Sequence, residues 1–188
     1  MSKYTLIVPI AADTDKMGTE MPYLFGLDSN GLMYCVKSIM GLPLEAFSDI
    51  YFTILHKHNL RYKLLEMMQI QFERLGIAHK THVYELWEST SSQPETLYHT
   101  VVGNHITGAV LFKYGDSYFT TEVYPENMLY IFPLDGLQVV NPHNKSYVTI
   151  AEQYYITNII EKKIVSRFFC AGGYSIEAVS YTHLRAHE

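Results

Sequence analysis

Cysteine is scarce. The chain's 188 residues hold two, Cys35 and Cys170, isolated from each other and from any Cys-x-x-Cys partner. That spacing excludes a cysteine-ligated zinc site and a dithiol redox motif, and predicts two buried free thiols. Basic clusters are missing as well. Fourteen Lys and Arg stand against 19 Asp and Glu, a formal net charge of -5, without the basic stripe that a nucleic-acid groove requires. A small anionic ligand remains compatible with this charge if a metal ion supplies the positive counterpart. No apolar run reaches the roughly 18 residues of a membrane span, and residues 1–10 lack the anatomy of a signal peptide. These absences predict a soluble, cytoplasmic protein without a membrane span, in which the sequon-like Asn144-Lys145-Ser146 carries no glycan. His-Glu-x-x-His and Gly-x-Ser-x-Gly do not occur. The close pairs His56/His58 and His79/His82 lack a third ligand at zinc-site spacing.

What is present is apolar and aromatic. Hydrophobic residues make up 48% of the chain, with 16 Tyr and 9 Phe, enough for one folded domain that buries about 70% of the surface exposed when unfolded. Charged residues make up only 18%. That is low for a free-standing surface and leaves apolar surface for a partner, with a homo-oligomer among the options.

The organising stretch is residues 108–119, GAVLFKYGDSYF. Residues 109–112 read as a fully buried strand, so Gly115 and Asp116 fall just past its carboxyl end, where open α/β sheets bind ligands. A carboxylate there can hold a divalent ion that neutralises phosphates, and it can equally be a turn aspartate beside a turn glycine. Residues 4–10 (YTLIVPI) read as a central strand, and the polar residues 11–20 sit where a phosphate-binding loop follows such a strand. Asp28-Ser29 predicts the cap of a helix over residues 32–40, stopped by Gly41 and Pro43. Residues 50–55 read as a second buried strand. Leu60, Leu64, Met67, Met68, Phe72 and Leu75 then recur at helical spacing opposite Arg61, Lys63, Glu66, Gln69 and Glu73, which predicts one helix ended by Gly76. Residues 82–87 read as a third strand, and Pro94 as the first position of a helix through Val102. Alternation of strand and helix to this point predicts a parallel sheet with right-handed crossovers. After Phe119, short runs at 128–132, 138–140, 147–151 and 155–160 predict an antiparallel meander. A late strand at 168–170 enters a turn at Gly172-Gly173. The fold class is α/β: a Rossmann-like, mostly parallel sheet with flanking helices plus a smaller antiparallel meander, without internal repeat or linker.

Residues 179–188, VSYTHLRAHE, read as one translated frame of a transposase-type sequencing adapter and are expected to be non-native. Residues 1–178 then form one domain, expected to be incomplete at its carboxyl end.

Several motifs occur in a fixed order. Ala11-Ala12 follows the first strand. Pro22 precedes Leu24-Phe25, and Ser92-Gln93-Pro94-Glu95-Thr96 opens a helix. Gly115-Asp116-Ser117 follows the organising strand, Ile160-Glu161-Lys162-Lys163 ends a later one, and Gly172-Gly173-Tyr174 comes last. In this order they resemble the sugar-1-phosphate nucleotidyltransferase family, whose fold is similar in outline to the type-A glycosyltransferases. The resemblance runs from about residue 3 to 178. It implies transfer of a nucleotidyl group from a nucleoside triphosphate to a sugar phosphate, yielding a nucleotide sugar. It implies Mg2+ held by Asp116, with Asp116 and Lys162 catalytic. Ala11, Ala12, Lys16, Gln93, Pro94 and Gly115 would line the nucleotide, and Glu161, Lys162 and Gly173 the sugar phosphate.

The chain departs from the family pattern in its first loop, which reads Ala12-Asp13-Thr14-Asp15-Lys16-Met17-Gly18 where the family is rich in glycine and carries an arginine. Lys16 alone can stand in for that arginine. Asp13 and Asp15 are expected to repel a triphosphate, each by about 3 kcal/mol at roughly 5 Å and an effective dielectric of about 20, unless one of them helps to hold a metal. Tyr23 falls where the family has a lysine, and a neutral phenol does not replace its charge. Two further readings therefore stand beside the transferase. One is an inactive module in polysaccharide synthesis that binds a nucleotide, a sugar phosphate or a protein. The other is a type-A glycosyltransferase that binds a nucleotide sugar, which the match at Glu161-Lys162 disfavours.

Overall fold

The computed structural model describes residues 4–13, 22–124, 126–136 and 141–177. Lys16, the run at 138–140 and the adapter-like residues 179–188 lie outside them. The chain forms two compact units, residues 1–127 with 175–188, and residues 128–174.

In the first unit four strands form a parallel sheet in the order β3-β2-β1-β4. They are β1 (Tyr4–Pro9), β2 (Phe47–Leu55), β3 (Thr81–Leu86) and β4 (Val110–Lys113). Leu6 is paired with Ile50 on one side and Leu111 on the other. All six residues of β1 are buried, as its continuous apolar run requires for a strand covered on both faces.

Four helices flank the sheet: α1 (Tyr34–Lys37), α2 (His56–Tyr62), α3 (Leu64–Arg74) and α4 (Gln93–Gly103). Phe72 of α3 stacks on Phe52 of β2 at 5.3 Å between ring centroids. On α4, Thr100 shares a buried hydroxyl hydrogen bond of 2.7 Å with Thr53 of β2.

Two of the expected helices need correction. The helix expected over residues 32–40 is one turn, α1. Asp28 caps the preceding loop instead, accepting from Asn30 N and Leu32 N and pairing with Lys37 Nζ at 2.8 Å. The long helix is two helices broken at Lys63, whose φ of 56° is left-handed. Asn59 ties the break, its carbonyl accepting from Lys63 N and its side chain from Leu65 N. The break turns Leu60 out to solvent, whereas Leu64, Met68 and Phe72 remain in the core. Gly76 ends α3 as expected, with φ of +71° and the paired terminal hydrogen bonds Gly76 N to Glu73 O and Ile77 N to Phe72 O.

The second unit is antiparallel. It contains β5 (Met128–Pro133), β6 (Ser146–Ile150), β7 (Ile156–Glu161) and β8 (Phe168–Ile176), whose last two residues belong to the first unit. β6 pairs antiparallel with β7 on one side and β8 on the other, and β5 pairs with β8. Tyr147, Val148 and Phe169 are buried here, and the Tyr147 hydroxyl donates to Pro142 O. Gly172-Gly173, expected as a turn, lies inside β8. Gly172, at φ +85°, bends that strand locally while its N–H reaches Cys170 Sγ at 3.3 Å. Both cysteines are free and buried.

Candidate functional site

The strand order 3-2-1-4 reverses direction between β1 and β4. In an open α/β sheet the crevice beyond the carboxyl ends of two such strands is where ligands bind. Residues 10–13 leave β1 on one side of it and residues 114–117 leave β4 on the other. Gly115 explains how closely these segments pass. A Cβ built there would stand 2.6 Å from Ile10 Cγ2 and 3.5 Å from Val8 Cγ1, so the turn carrying Asp116 lies on the end of β1 only because residue 115 has no side chain.

Asp116 is exposed. Its carboxylate accepts a hydrogen bond from the Tyr23 phenol. Partial burial, followed by the charge and hydrogen bond of Asp116, pushes Tyr23 up to about 12. Tyr23, the phenol that the resemblance sets in place of a lysine, is thus a neutral donor to the carboxylate, a role that its identity as a phenol did not disclose.

Lys113, the last residue of β4, was not among the expected site residues, yet its side chain is fully buried. Its ammonium donates to Tyr114 O and Ser117 Oγ at 3.3 Å each and to Ser117 O. It also sits 4.5 Å from the centroid of the Phe119 ring. Burial pulls Lys113 down to about 8, an effect partly opposed by the charge of Asp116. An ammonium with three oxygen acceptors and an aromatic face is anchored, and it organises the turn from which Asp116 projects.

On the β1 side, Ala11 is buried beside Leu55 and Leu86, so its methyl belongs to the core, whereas Ala12 is exposed. Asp13 pairs with Lys57 Nζ at 2.5 Å. The Lys57 ammonium therefore offsets part of the repulsion expected from Asp13. At the ends of β2 and β3, His56 Nδ1 bonds Glu85 at 2.7 Å, Asn59 donates to the same carboxylate, and the exposed Trp87 lies over the His56 ring.

Gln93 and Pro94 open α4. Ser92 is its N-cap, accepting from Glu95 N at 3.3 Å. Glu95 reaches back to Ser91 N and Oγ at 2.6 and 2.7 Å, which holds its carboxyl below the ordinary range. This reciprocal cap fixes the helix start, whose dipole favours a negative group. Glu161, Lys162 and Gly173 belong to the second unit. Glu161 ends β7 and pairs with Lys162 at 3.4 Å, both largely exposed. Gly173 lies in β8. Gly115 and Asp116 are thus brought to the end of β1, which Ala11 and Ala12 follow, whereas Gln93 and Pro94 open α4, Glu161 and Lys162 stand at the end of β7, Gly173 lies inside β8, and Lys16 is outside the described residues.

Among the described residues no three His, Cys, Asp or Glu side chains gather as a metal cage. The exposed, acceptor-only carboxylate of Asp116 fits the sparser magnesium mode, in which one or two carboxylates act with waters and phosphate oxygens.

No protein-family profile matches the sequence, and no curated protein does. Solved structures do. The inositol-1-phosphate CTP transferase from T. maritima is similar at a TM-score of 0.72 and 14% identity, over 97% of this chain and 74% of that one. A nucleoside-diphosphate-sugar pyrophosphorylase from Vibrio cholerae RC9 is similar at 0.71 and 18% identity, over 95% and 75%. A UDP-glucose pyrophosphorylase complexed with UDP-glucose is similar at 0.65 and 12% identity, over 97% and 79%. What this chain shares with them is the fold of the sugar-phosphate nucleotidyltransferases.

Proposed function

We propose that the chain binds a nucleotide beyond the carboxyl ends of β1 and β4 and that its reaction is nucleotidyl transfer to a sugar phosphate. The observation that carries this reading is the exposed Asp116 at the reversal of strand order, on a turn anchored by Lys113 and seated by Gly115. In the reaction a phosphate oxygen of the sugar phosphate bonds to the α-phosphorus of the triphosphate. The bond from that phosphorus to the bridging oxygen breaks, and pyrophosphate leaves with the electron pair.

Asp116 would hold magnesium, which when bound neutralises phosphate charge. The backbone at Ala11, Ala12 and Gly115 lines the nucleotide, with Lys16 as the loop cation. Gln93 and Pro94 at the start of α4 contact the base, and the helix dipole there favours negative charge. Glu161, Lys162 and Gly173 position the sugar phosphate. Catalysis of this kind consists of positioning and charge neutralisation.

A second reading, binding without transfer, draws support from Tyr23. The phenol occupies part of the acceptor capacity of Asp116 and brings no charge to the reacting phosphate. Pyrophosphate release separates the two. The chain would be incubated with each nucleoside triphosphate, magnesium and a panel of sugar 1-phosphates. Release that disappears in Asp116→Ala supports transfer. Nucleotide binding without release from any pair leaves the binding module, and release unaffected by Asp116→Ala removes Asp116 from the reaction.

A further inference from the structure

Trp87, the only tryptophan of the chain, follows β3 and is 79% exposed, although tryptophan is on average a highly buried residue. Its placement is fixed. The indole lies over the His56 ring, with 3.9 Å between centroids and 32° between planes. His56 is itself held by the Glu85 carboxylate at 2.7 Å, which also accepts from Asn59 Nδ2 at 3.2 Å. Leu55 pairs with Leu86 in the β2–β3 register, so His56 and Trp87 leave two adjacent strand ends side by side. The result is a flat aromatic surface backed on one face and open to solvent on the other.

Its position relative to Asp116 indicates what it takes. Both residues stand past the carboxyl ends of parallel strands, Trp87 after β3 and Asp116 after β4, at opposite ends of the order β3-β2-β1-β4. Three strand spacings of about 4.8 Å, roughly 14 Å, separate those two strands. Between them the segment after β1 is tied towards the aromatic side, Ala11 by packing on Leu55 and Leu86 and Asp13 by its pair with Lys57. A ligand that carries phosphates for a metal at Asp116 and a planar ring at its far end matches this layout. A nucleoside triphosphate is such a ligand, and every base has a π-face that stacks on an aromatic side chain. We propose that the open face of Trp87 stacks the base of the nucleotide. The proposal rests on the nucleotide reading above and deepens it by assigning the base a contact that the sequence motifs did not include.

With one tryptophan in the chain, fluorescence reports on this face alone. The full chain would be excited at the red edge of indole absorption, where tyrosine and nucleotides absorb weakly. Emission and unfolding temperature would be followed in magnesium with ATP, GTP, CTP and UTP, and with inorganic tripolyphosphate, which has the charge without a base. A nucleotide that raises the unfolding temperature should also quench Trp87, and tripolyphosphate should leave the emission unchanged. Trp87→Ala, at an exposed position, should unfold close to the parent's temperature without ligand. By calorimetry it should bind that nucleotide roughly five- to 150-fold more weakly, the equivalent of one stacked base, and Trp87→Phe should recover most of the loss. Three outcomes overturn the base contact and leave the nucleotide site standing: stabilisation without quenching, equal quenching by tripolyphosphate, or an affinity in Trp87→Ala within about twofold of the parent's. No rise in unfolding temperature with any of the four nucleotides overturns both.

Discussion

Replacing Lys113 by methionine should flatten the pH dependence of stability between neutral and alkaline conditions. Lys113 titrates near 8 in the folded chain against an ordinary value of 10.5. Below about pH 7 both folded and unfolded chains hold its proton, and the group contributes no slope. Between 8 and 10.5 the unfolded chain still holds the proton and the folded chain has lost it, so stability rises with pH by about 1.4 kcal/mol per pH unit. From pH 7 to 9.5 the gain is about 2 kcal/mol, because roughly 1.5 pH units of that interval lie above the folded value. Cys35, pushed up to about 12 by burial, acts in the opposite sense above pH 9. It does so in both proteins and cancels in the difference. Urea unfolding of the parent and of Lys113→Met at pH 7 and pH 9.5 measures the effect. The parent should gain about 2 kcal/mol on the variant over that interval. A difference that stays within about 0.5 kcal/mol would mean that the ammonium is solvated, and would refute the anchoring of the Asp116 turn by a buried charge.

Two further substitutions test local geometry, one beside the segment that covers Lys113 and one at the start of α4. A Cβ at Gly41 would lie 2.2 Å from Phe119 O and 2.8 Å from Phe119 C, backbone atoms that cannot rotate away, so Gly41→Ala should cost about 3 kcal/mol in urea unfolding. A cost under about 1 kcal/mol would show that residue 41 does not pass so close to the segment covering Lys113. Ser92→Ala should cost about 1 kcal/mol through the lost cap of α4, read as a lower urea midpoint with an unchanged slope. An unchanged midpoint would remove Ser92 from the cap.

The four parallel strands were legible because continuous apolar runs such as residues 4–10 and 109–112 have no other stable placement than the middle of a sheet. The start of α4 was legible from Pro94 and the polar residues before it. The break at Lys63 was not. Helical periodicity counts side-chain spacing, and it continues across a single left-handed residue whose cause is the nearby Asn59 side chain. Asp28 carried the signature of a helix cap, and its bond to Lys37 shows a capping residue used on a loop. At the candidate site, Asp116 and Gly115 could be read from their place after a buried strand. Lys113 could not, since a lysine at a strand end ordinarily reaches solvent, and only the fold of 114–119 back over it supplies the oxygens and the ring that hold it. The partial offset of Asp13 depends on Lys57, which is distant in sequence, and the role of Tyr23 depends on a loop that returns to Asp116. Residues whose partners are tertiary leave little trace in a single sequence.

A nucleotide site built on Asp116 at the ends of β1 and β4 is tested most directly by the unfolding temperature with each nucleoside triphosphate, with and without magnesium, for the parent and Asp116→Ala. A ligand that binds only the folded chain must raise that temperature, by an amount equivalent to about 2.7 kcal/mol at a hundredfold excess over its dissociation constant. A magnesium-dependent rise with at least one triphosphate, abolished in Asp116→Ala, is expected of such a site. No rise with any triphosphate, or a rise that survives in Asp116→Ala, would contradict it.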